Sequence, residues 1–600
     1  MVTPEKWKTW SWRDYWEDCR RFGKTLIRLK VDPFKIVNIL GFNSPEWFIA
    51  NCGAIVSSCI AAGIYATNLA DACHYITEHS KAEILCVDGN KQLAKYCNKR
   101  FPYLKAVVIW EETADPNLVK NISVPVYQWK DFLEIGSDWI SDSEIDRRCA
   151  NVKVGNCSTL IYTSGTTGPP KAVMISHDNV TWTAKKTFDT LANVNHTDRI
   201  VSYLPLSHIA AQMIDLHGPM CLGCCTYFAR PDALKGTIKA TLCDVRPTIF
   251  FGVPRVWEKF QDAIVDIGRK SSPILKTISG YAKGVGKSHC EMMQYGNGGG
   301  APCFYGLASV LLNKIKSNLG LDQCKMCFTA AAPIAPETLW YFASLDIPVY
   351  EVFGQSECTG PHTMSMESQW KIGTCGRPLQ GTVSKGDANS ELCYAGRHIF
   401  MGYMYMPEKT AETIDEEGWL HSGDIGEFDN DTQPGMKGPS GFLKITGRIK
   451  ELIITAGGEN IPPVLIENEM KAAMPAISNC VVIGDKRKFL SMLVSLKTVP
   501  DKDGVPTDTL AGDAVQAGMD IGSSAKTVSE AIKDPLWNDY INKGVKVANS
   551  KTTSNAQVIN KWVWLEKDFS EKTEELTPTM KLKRNVVAKK YADLIESIYA

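Results

Sequence analysis

Six hundred residues are more than one hydrophobic core organises and predict two or more domains. Apolar residues make up 44% and charged residues 22% of the chain, the proportions of a globular protein, and 66 Lys plus Arg balance 66 Asp plus Glu. A chain without net charge has no global field to draw it onto nucleic acid or an acidic surface, so nucleic-acid partners are set aside. Its 20 cysteines are scattered with no secretory signal before them, which predicts reduced thiols inside a cell, not a disulfide framework.

In chain order, Ser11-Trp-Arg-Asp14 reads as a capping box opening a helix, with Trp12, Trp16, Phe22 and Leu26 following at helical spacing. The four tryptophans among the first sixteen residues read as packing. From residue 36 to about 250, short apolar runs alternate with amphipathic stretches: Ile36–Phe42, Ala82–Val87, Ala106–Trp110, Ser158–Thr163, Ile200–Leu204 and Thr248–Val253. That alternation predicts an α/β fold, parallel or mixed sheets flanked by helices, with ligands at the carboxyl ends of the strands. Phe48 to Ala66 carries no charge and imitates a membrane span, but Asn51, Ser57 and Ser58 dilute it; a buried helix running into a buried strand is the better reading. Residues 268–302, ending in Asn297-Gly-Gly-Gly300, read as an irregular surface insertion, and Asp429–Ser440 and Val499–Ser524 as exposed loops. Cys324-Lys-Met-Cys327 lacks a second pair or nearby histidines, so it reads as a strand carrying two thiols. The sequon Asn195-His-Thr197 carries no meaning without secretion. After Gly447 the pattern changes to a small α+β unit with strands at Glu451–Thr455, Cys480–Gly484 and Met492–Leu496, which places a boundary between residues 1–447 and 448–600.

The most informative segment is Tyr162-Thr-Ser-Gly-Thr-Thr-Gly-Pro-Pro-Lys171. An apolar strand opens into hydroxyls and glycines, whose backbone N–H groups can approach a polyphosphate closely, and ends on a lysine that supplies charge. The spacing Gly165-x-x-Gly168-x-x-Lys171 differs from the Walker loop, which needs four residues between its glycines and Lys-Ser/Thr directly after. The nine residues Thr163–Lys171 instead match the phosphate loop of adenylate-forming enzymes, and the chain resembles an acyl-CoA synthetase of that superfamily.

The resemblance extends over essentially the whole chain. It implies a large N-terminal adenylation domain, a small mobile C-terminal domain, and use of ATP, Mg²⁺ and coenzyme A. Within the phosphate loop it assigns Thr163, Ser164, Gly165, Thr166, Thr167, Gly168, Pro169, Pro170 and Lys171 to the nucleotide, with Thr163 and Lys171 among the catalytic groups. Ala330-Ala-Ala-Pro333 and Tyr350-Glu-Val-Phe-Gly-Gln-Ser-Glu357 resemble the adenine and magnesium segment. There Phe353 offers a flat face to the purine, Gly354 permits close approach, Gln355 and Ser356 lie along the nucleotide, and Glu357 is the hard oxygen ligand for Mg²⁺. Gly418-Trp-Leu-His-Ser-Gly-Asp424 resembles the ribose segment, with Asp424 on the hydroxyls and Arg448 beside it; Lys450 matches the hinge. In Leu576-Thr-Pro-Thr-Met-Lys-Leu-Lys-Arg584, Lys581 falls where relatives place the lysine that bridges carboxylate and α-phosphate. Lys583, Arg584, Lys589 and Lys590 around it read as a solvated helix face, with membrane or CoA phosphate as the alternative. Thr455-Ala-Gly-Gly-Glu-Asn-Ile461 matches the face presented to CoA.

Ser202-Tyr-Leu-Pro-Leu-Ser-His208 and Gly252-Val-Pro-Arg-Val-Trp-Glu258 resemble long-chain and very-long-chain fatty acyl-CoA synthetases, with His208 near the acyl end or simply a satisfied core histidine. Gly41–Phe48, Ser202–Gln212, Pro231–Gly236, Leu452–Pro463 and Arg487–Leu493 resemble the bubblegum subfamily. The implied function is ATP-dependent conversion of long-chain fatty acids to acyl-CoA with release of AMP and pyrophosphate. The alternatives are a ligase for an aryl or other acid, and a non-catalytic lipid- or nucleotide-binding relative. The implied location is cytoplasmic, with peripheral contact to the endoplasmic reticulum or another intracellular membrane left open because a fatty substrate partitions into bilayers. Three departures stand out. The chain starts several tens of residues later than relatives, leaving the first strands in question. The stretch from Gly381 to Gly396 is shorter than the family pattern and predicts a missing strand. Ala172 and Ala330 replace usual glycines.

Overall fold

The computed structural model describes residues 7–600 apart from 138–140, 164–168, 192, 295–299, 368, 388–389, 430–440, 456–458, 503, 553 and 578–579. Among the described residues the N-terminal part carries three sheets. An eight-stranded sheet runs in the order Gly402–Tyr403, Lys171–Ser176, Cys157–Thr163, Ile60–Ile64, Ile36–Leu40, Ile84–Val87, Ala106–Ile109 and Val126–Gln128. Its six strands from Cys157–Thr163 onward are parallel, and Lys171–Ser176 folds back antiparallel. A seven-stranded sheet takes Cys225–Phe228, Arg199–Ser202, Ile249–Phe251, Met326–Thr329 and Val349–Gln355 in parallel before two antiparallel strands at its edge. One large apolar core containing Trp47, Trp257 and Phe342 joins the two sheets through the helices between them. A four-stranded antiparallel sheet, Val383–Gly386, Glu391–Ala395, Leu420–Asp429 and Phe442–Arg448, completes this part.

Local chemistry accounts for the elements. Ser11 accepts from the Asp14 N–H while Asp14 accepts in return, starting the helix Trp12–Arg28. Ser44 and Pro45 start the helix Pro45–Val56, which leads into the buried strand Ile60–Ile64, so the uncharged stretch is core. Trp7 packs on the core, but Trp12 and Trp16 are exposed, so packing explains only part of the early tryptophan cluster.

Four sequence expectations are corrected. Residues 268–302 are chiefly helical, Pro254–Arg269 being followed by Pro273–Met293, and Asn297–Gly299 lie outside the described residues. Glycines disguised that helix: a Cβ at Gly286 would come within 2.5 Å of the Ser344 carbonyl oxygen, so close packing demands glycine there. Val499–Ser524 holds a hairpin, Thr498–Pro500 with Pro506–Leu510, and the helix Asp513–Asp520, which pack with Trp537 into a small core. Residues 381–396 keep two paired strands. Cys327 lies in the strand Met326–Thr329 but Cys324 precedes it, its sulfur 3.5 Å from that of Cys327. Of Asp429–Ser440, only Asp429 is described, as the end of a strand.

Beyond Arg448 the C-terminal lobe is α+β: a three-stranded sheet of Ile477–Ile483, Leu490–Leu496 and Ile559–Trp564, covered by helices Pro463–Ala473 and Pro535–Ser550. The stretch Glu451–Thr455 is a 3₁₀ turn, Ile449–Glu451, followed by a short strand, Ile453–Ile454. The lobe is held on the N-terminal part by charge. Lys497 Nζ lies 2.7 Å from both Asp262 Oδ1 and Asp513 Oδ2, Arg269 pairs with Asp513, and Arg255 donates to Ser478 Oγ at 3.0 Å.

Candidate active site

A cavity of about 2080 Å³ opens where the strand ends of the two large sheets, the four-stranded sheet and the C-terminal lobe meet. Thr163, Lys171, Glu357, Asp424, Arg448 and Lys581 all line it, although they come from segments spread over more than 400 residues.

Thr163 and Lys171 are paired across the antiparallel hairpin, so they stand at the two feet of the loop between them. Ser164, Gly165, Thr166, Thr167 and Gly168 lie outside the described residues; Pro169 and Pro170 line the cavity. The Lys171 ammonium sits 4.2 Å from the centre of the Tyr403 ring, a cation–π contact. Partial burial draws its pKa below the ordinary lysine range, and nearby Glu357 opposes that shift. The Tyr403 hydroxyl in turn donates to Glu357 Oε1 at 2.7 Å. Lys171 and Glu357 are thus tied through one tyrosine that motif reading missed. Tyr403 lies on the edge strand paired with Val173, a juxtaposition that sequence spacing does not encode.

The strand Val349–Gln355 ends in the 3₁₀ turn Ser356–Cys358. Phe353 is half-buried and meets Tyr394 edge-on, and Gln355 Nε2 donates to Tyr394 Oη at 2.6 Å. Ser356 is buried, and Glu357 keeps its second oxygen without a partner among the described residues. Gly354 has a cause other than nucleotide approach: a Cβ there would stand 1.8 Å from the Gly360 carbonyl oxygen across a β-bulge. Glu351, on the same strand, faces the cavity within the protein and accepts from the Gly373 N–H at 2.9 Å; burial pushes its pKa up to about 8.

Asp424 faces Arg448 across neighbouring antiparallel strands. Arg448 Nε contacts Asp424 Oδ1 at 2.8 Å, while Oδ2, on a residue only 2% exposed, has no partner among the described residues. Burial raises the Asp424 pKa against the pull of Arg448. The turn before it is pinned by a network that the motif only half displayed. His421 lies 3.0 Å from Glu391 Oε2 and 3.3 Å from Asp415 Oδ2, and the Gly423 N–H donates to Glu391 Oε1 at 2.7 Å. The bond to Glu391, then that to Asp415, raises the His421 pKa. His421 was visible in Gly418–Asp424, but Glu391 is thirty positions earlier in the chain and carries no local signal.

Lys581 reaches the same cavity from the C-terminal lobe. Two bonds to Thr577 hold its backbone: the Thr577 N–H donates to the Lys581 carbonyl at 2.8 Å, and the Lys581 N–H donates to Thr577 Oγ1 at 2.9 Å. Burial lowers its pKa to about 8, and the charge of Arg448 adds to that. His208 feels Lys581 as well: burial first, then that charge, push its pKa down to about 3. It is a neutral imidazole whose Nδ1 accepts from the Ala210 N–H at 3.2 Å. Arg584 is not part of a solvated face, since it makes a bidentate ion pair with Glu467 at 2.6 Å to each oxygen; Lys590 pairs with Glu575. Lys450 lies in the turn Ile449–Glu451 at the junction of the two parts, while residues 456–458 of the Thr455–Ile461 segment lie outside the described residues.

Residues 1–404 match the AMP-binding enzyme family and residues 450–600 the AMP-binding enzyme C-terminal domain. The chain is 48% identical to the long-chain-fatty-acid–CoA ligase ACSBG2 of Xenopus laevis over 99% of its length and 80% of that protein's. It is 43% identical to human ACSBG2, covering 99% and 89%. Among solved structures, an anthranilate–CoA ligase in complex with anthranoyl-AMP shares the fold at a TM-score of 0.68 and 16% identity, covering 98% and 92%. The o-succinylbenzoate–CoA synthetase of Bacillus subtilis with its acyl-adenylate does so at 0.64 and 17%, covering 96% and 93%. The chain belongs to the AMP-binding enzyme family, and within it to the bubblegum group that the ACSBG proteins form.

Proposed function

We propose that the protein joins long-chain fatty acids to coenzyme A in two half-reactions that share this cavity. A carboxylate acylates poorly because its leaving group would be oxide. Attack of the fatty carboxylate on the α-phosphorus of ATP makes an acyl-adenylate and expels pyrophosphate; the CoA thiol then attacks the acyl carbon and AMP leaves. The relatives' names supply the substrate class. The observation that carries the nucleotide half is Asp424, whose buried, unpaired Oδ2 beside Arg448 is an acceptor waiting for hydroxyl donors such as those of a ribose.

The remaining residues take roles that fit their surroundings. Thr163, Lys171 and the loop they flank, Ser164 to Pro170, would receive the phosphates. Phe353, Gly354, Gln355 and Ser356 would border adenine and α-phosphate. Glu357 has one oxygen fixed by Tyr403 and one to offer, which suits a hard divalent cation. Mg²⁺ held there would neutralise charge on the phosphate oxygens. Lys581, an amine with no hydrogen-bonding partner among the described residues for its ammonium group, would stabilise negative charge as it builds on the α-phosphoryl group.

Residues 448–600 would be a mobile domain pivoting near Lys450, so that Thr455–Ile461 would replace Lys581 at the cavity when the CoA thiol enters. Peripheral membrane contact fits a substrate that partitions into bilayers. The test is ATP–pyrophosphate exchange without CoA. Palmitate should support exchange and benzoate or coumarate should not; the reverse pattern rejects a fatty substrate in favour of an aryl acid.

A further inference from the structure

No helix among the described residues is long and apolar enough to cross a membrane. One pair of helices nevertheless turns apolar side chains to solvent. Pro273–Met293 buries Ala282, Gly286 and Cys290 and exposes Ile274, Leu275, Ile278 and Tyr281, a single stripe at helical spacing. Tyr305–Leu319 buries Ala308, Leu312 and Leu319 and exposes Leu307 and Val310. The exposure is extreme, 73% for Ile274, 75% for Leu307 and 71% for Val310. The rings of Tyr281 and Phe304 lie 6.4 Å apart and join the two stripes into one patch. Contiguous exposed apolar surface of this kind marks a contact site.

The charge around the patch indicates what it meets. The chain is neutral overall, yet residues 268–320 hold seven Lys or Arg and a single Glu. Arg269, Lys287 and Lys316 are compensated by Asp513, Glu291 and Asp346. Lys270, Lys276 and Lys314 are exposed and have no carboxylate partner among the described residues, and Lys314 continues the Leu307–Val310 stripe by one turn. Protruding aliphatic side chains, two aromatic rings and uncompensated lysines are the chemistry of a surface that lies in the headgroup region of an anionic bilayer. A second copy of the chain fits less well, because a two-fold contact would set this lysine-rich patch against itself.

We propose that this helix pair is the docking surface for an anionic lipid bilayer. The helix Pro254–Arg269 leads from the cavity toward the patch: Arg255 lines the cavity, and exposed Ile267 lies near the other end of the helix, seven residues before Ile274, the two about 18 Å apart at 1.5 Å per residue. The inference draws its purpose from the fatty-acid reading, but its test needs no turnover.

The full-length protein is sedimented with vesicles of phosphatidylcholine alone or mixed with phosphatidylserine. The wild type should bind the mixed vesicles and bind neutral ones far less. Leu307→Glu with Val310→Glu should cut binding about tenfold or more, as losing two inserted aliphatic side chains implies. Lys270→Glu, Lys276→Glu and Lys314→Glu together should abolish the preference for phosphatidylserine. All five positions are exposed, so circular dichroism and thermal melting should match the wild type. Wild-type protein that ignores both vesicle types overturns the proposal, as do variants that bind like wild type. So does a wild-type dimer in lipid-free buffer that the Leu307→Glu, Val310→Glu variant abolishes, since the patch would then be an interface between copies.

Discussion

Asp424 and Arg448 stand opposite each other on adjacent strands, and the guanidinium takes only one of the two carboxylate oxygens. A half-satisfied buried charge is costly unless something else completes it. Asp424→Asn keeps the shape but loses the anionic acceptor. Hydrogen bonds to charged groups contribute about 1.5–3 kcal/mol, so AMP affinity measured by calorimetry should fall roughly 10- to 100-fold. Thermal stability without nucleotide should hold or rise. Unchanged AMP affinity would remove Asp424 from the nucleotide site.

Lys581 should matter to one half-reaction only. Lys581→Ala should lose about 10²-fold or more in pyrophosphate release from ATP and fatty acid, the scale of a lost transition-state donor. It should still convert supplied oleoyl-adenylate to oleoyl-CoA. The pH dependence has a defined sign. With a pKa of about 8 the amine loses its charge as pH rises through that value, so kcat/KM for adenylation, which reports the free enzyme, should fall above it. The fall should be absent in Lys581→Ala. Equal loss in both half-reactions, or a flat profile in the wild type, would contradict the role.

Lys497 ties the C-terminal lobe to the helix Pro254–Arg269 through Asp262 while pairing with Asp513 within its own lobe. If the lobe must swing between half-reactions, this latch favours the arrangement that brings Lys581 into the cavity. Lys497→Ala should slow adenylation by roughly two- to fivefold, the scale of partly exposed ion pairs, and leave thioester formation from the adenylate equal or faster. Single-turnover measurements of each half-reaction would show it; a uniform slowing of both would point to a general loss of fold.

Much of this arrangement was legible in the chain. Thr163 and Lys171 flank a loop whose local chemistry suggests a polyphosphate, Glu357, Asp424, Arg448 and Lys581 were assigned by the family resemblance of their motifs, and the structure brings all six to one cavity. Tyr403, Glu391 and Glu351 were not legible. Their meaning comes from contacts between segments separated in sequence, which period and spacing do not report. The helix Pro273–Met293 was missed although one of its glycines, Gly286, serves close packing against Ser344. Gly354 carries a second requirement that its motif did not show, since the Gly360 backbone leaves no room for a Cβ there.

Glu351 gives a test of the cavity's low polarity. Its pKa is raised from 4.5 to about 8, so the folded protein binds a proton that the unfolded chain releases between those values. That contribution to stability is fully present below 4.5 and is lost as pH rises through about 8. Glu351→Gln keeps an acceptor for the Gly373 N–H and cannot ionise. The melting temperature of the variant, compared with wild type, should therefore gain about 2 °C or more between pH ~6 and ~8.5. A constant difference across that range would mean the carboxyl ionises as it does in water.

The central claim is that one cavity makes a fatty acyl-adenylate and then consumes it. The most direct measurement is mass spectrometry of purified protein incubated with Mg-ATP and palmitate, before and after CoA is added. The account predicts palmitoyl-AMP and pyrophosphate without CoA, then palmitoyl-CoA and AMP in equal amounts once CoA is present. Formation of ADP and phosphate, or the absence of any adenylate with acids of ~8 to ~24 carbons, whose burial at about 0.8 kcal/mol per methylene should make a preference plain, would contradict it.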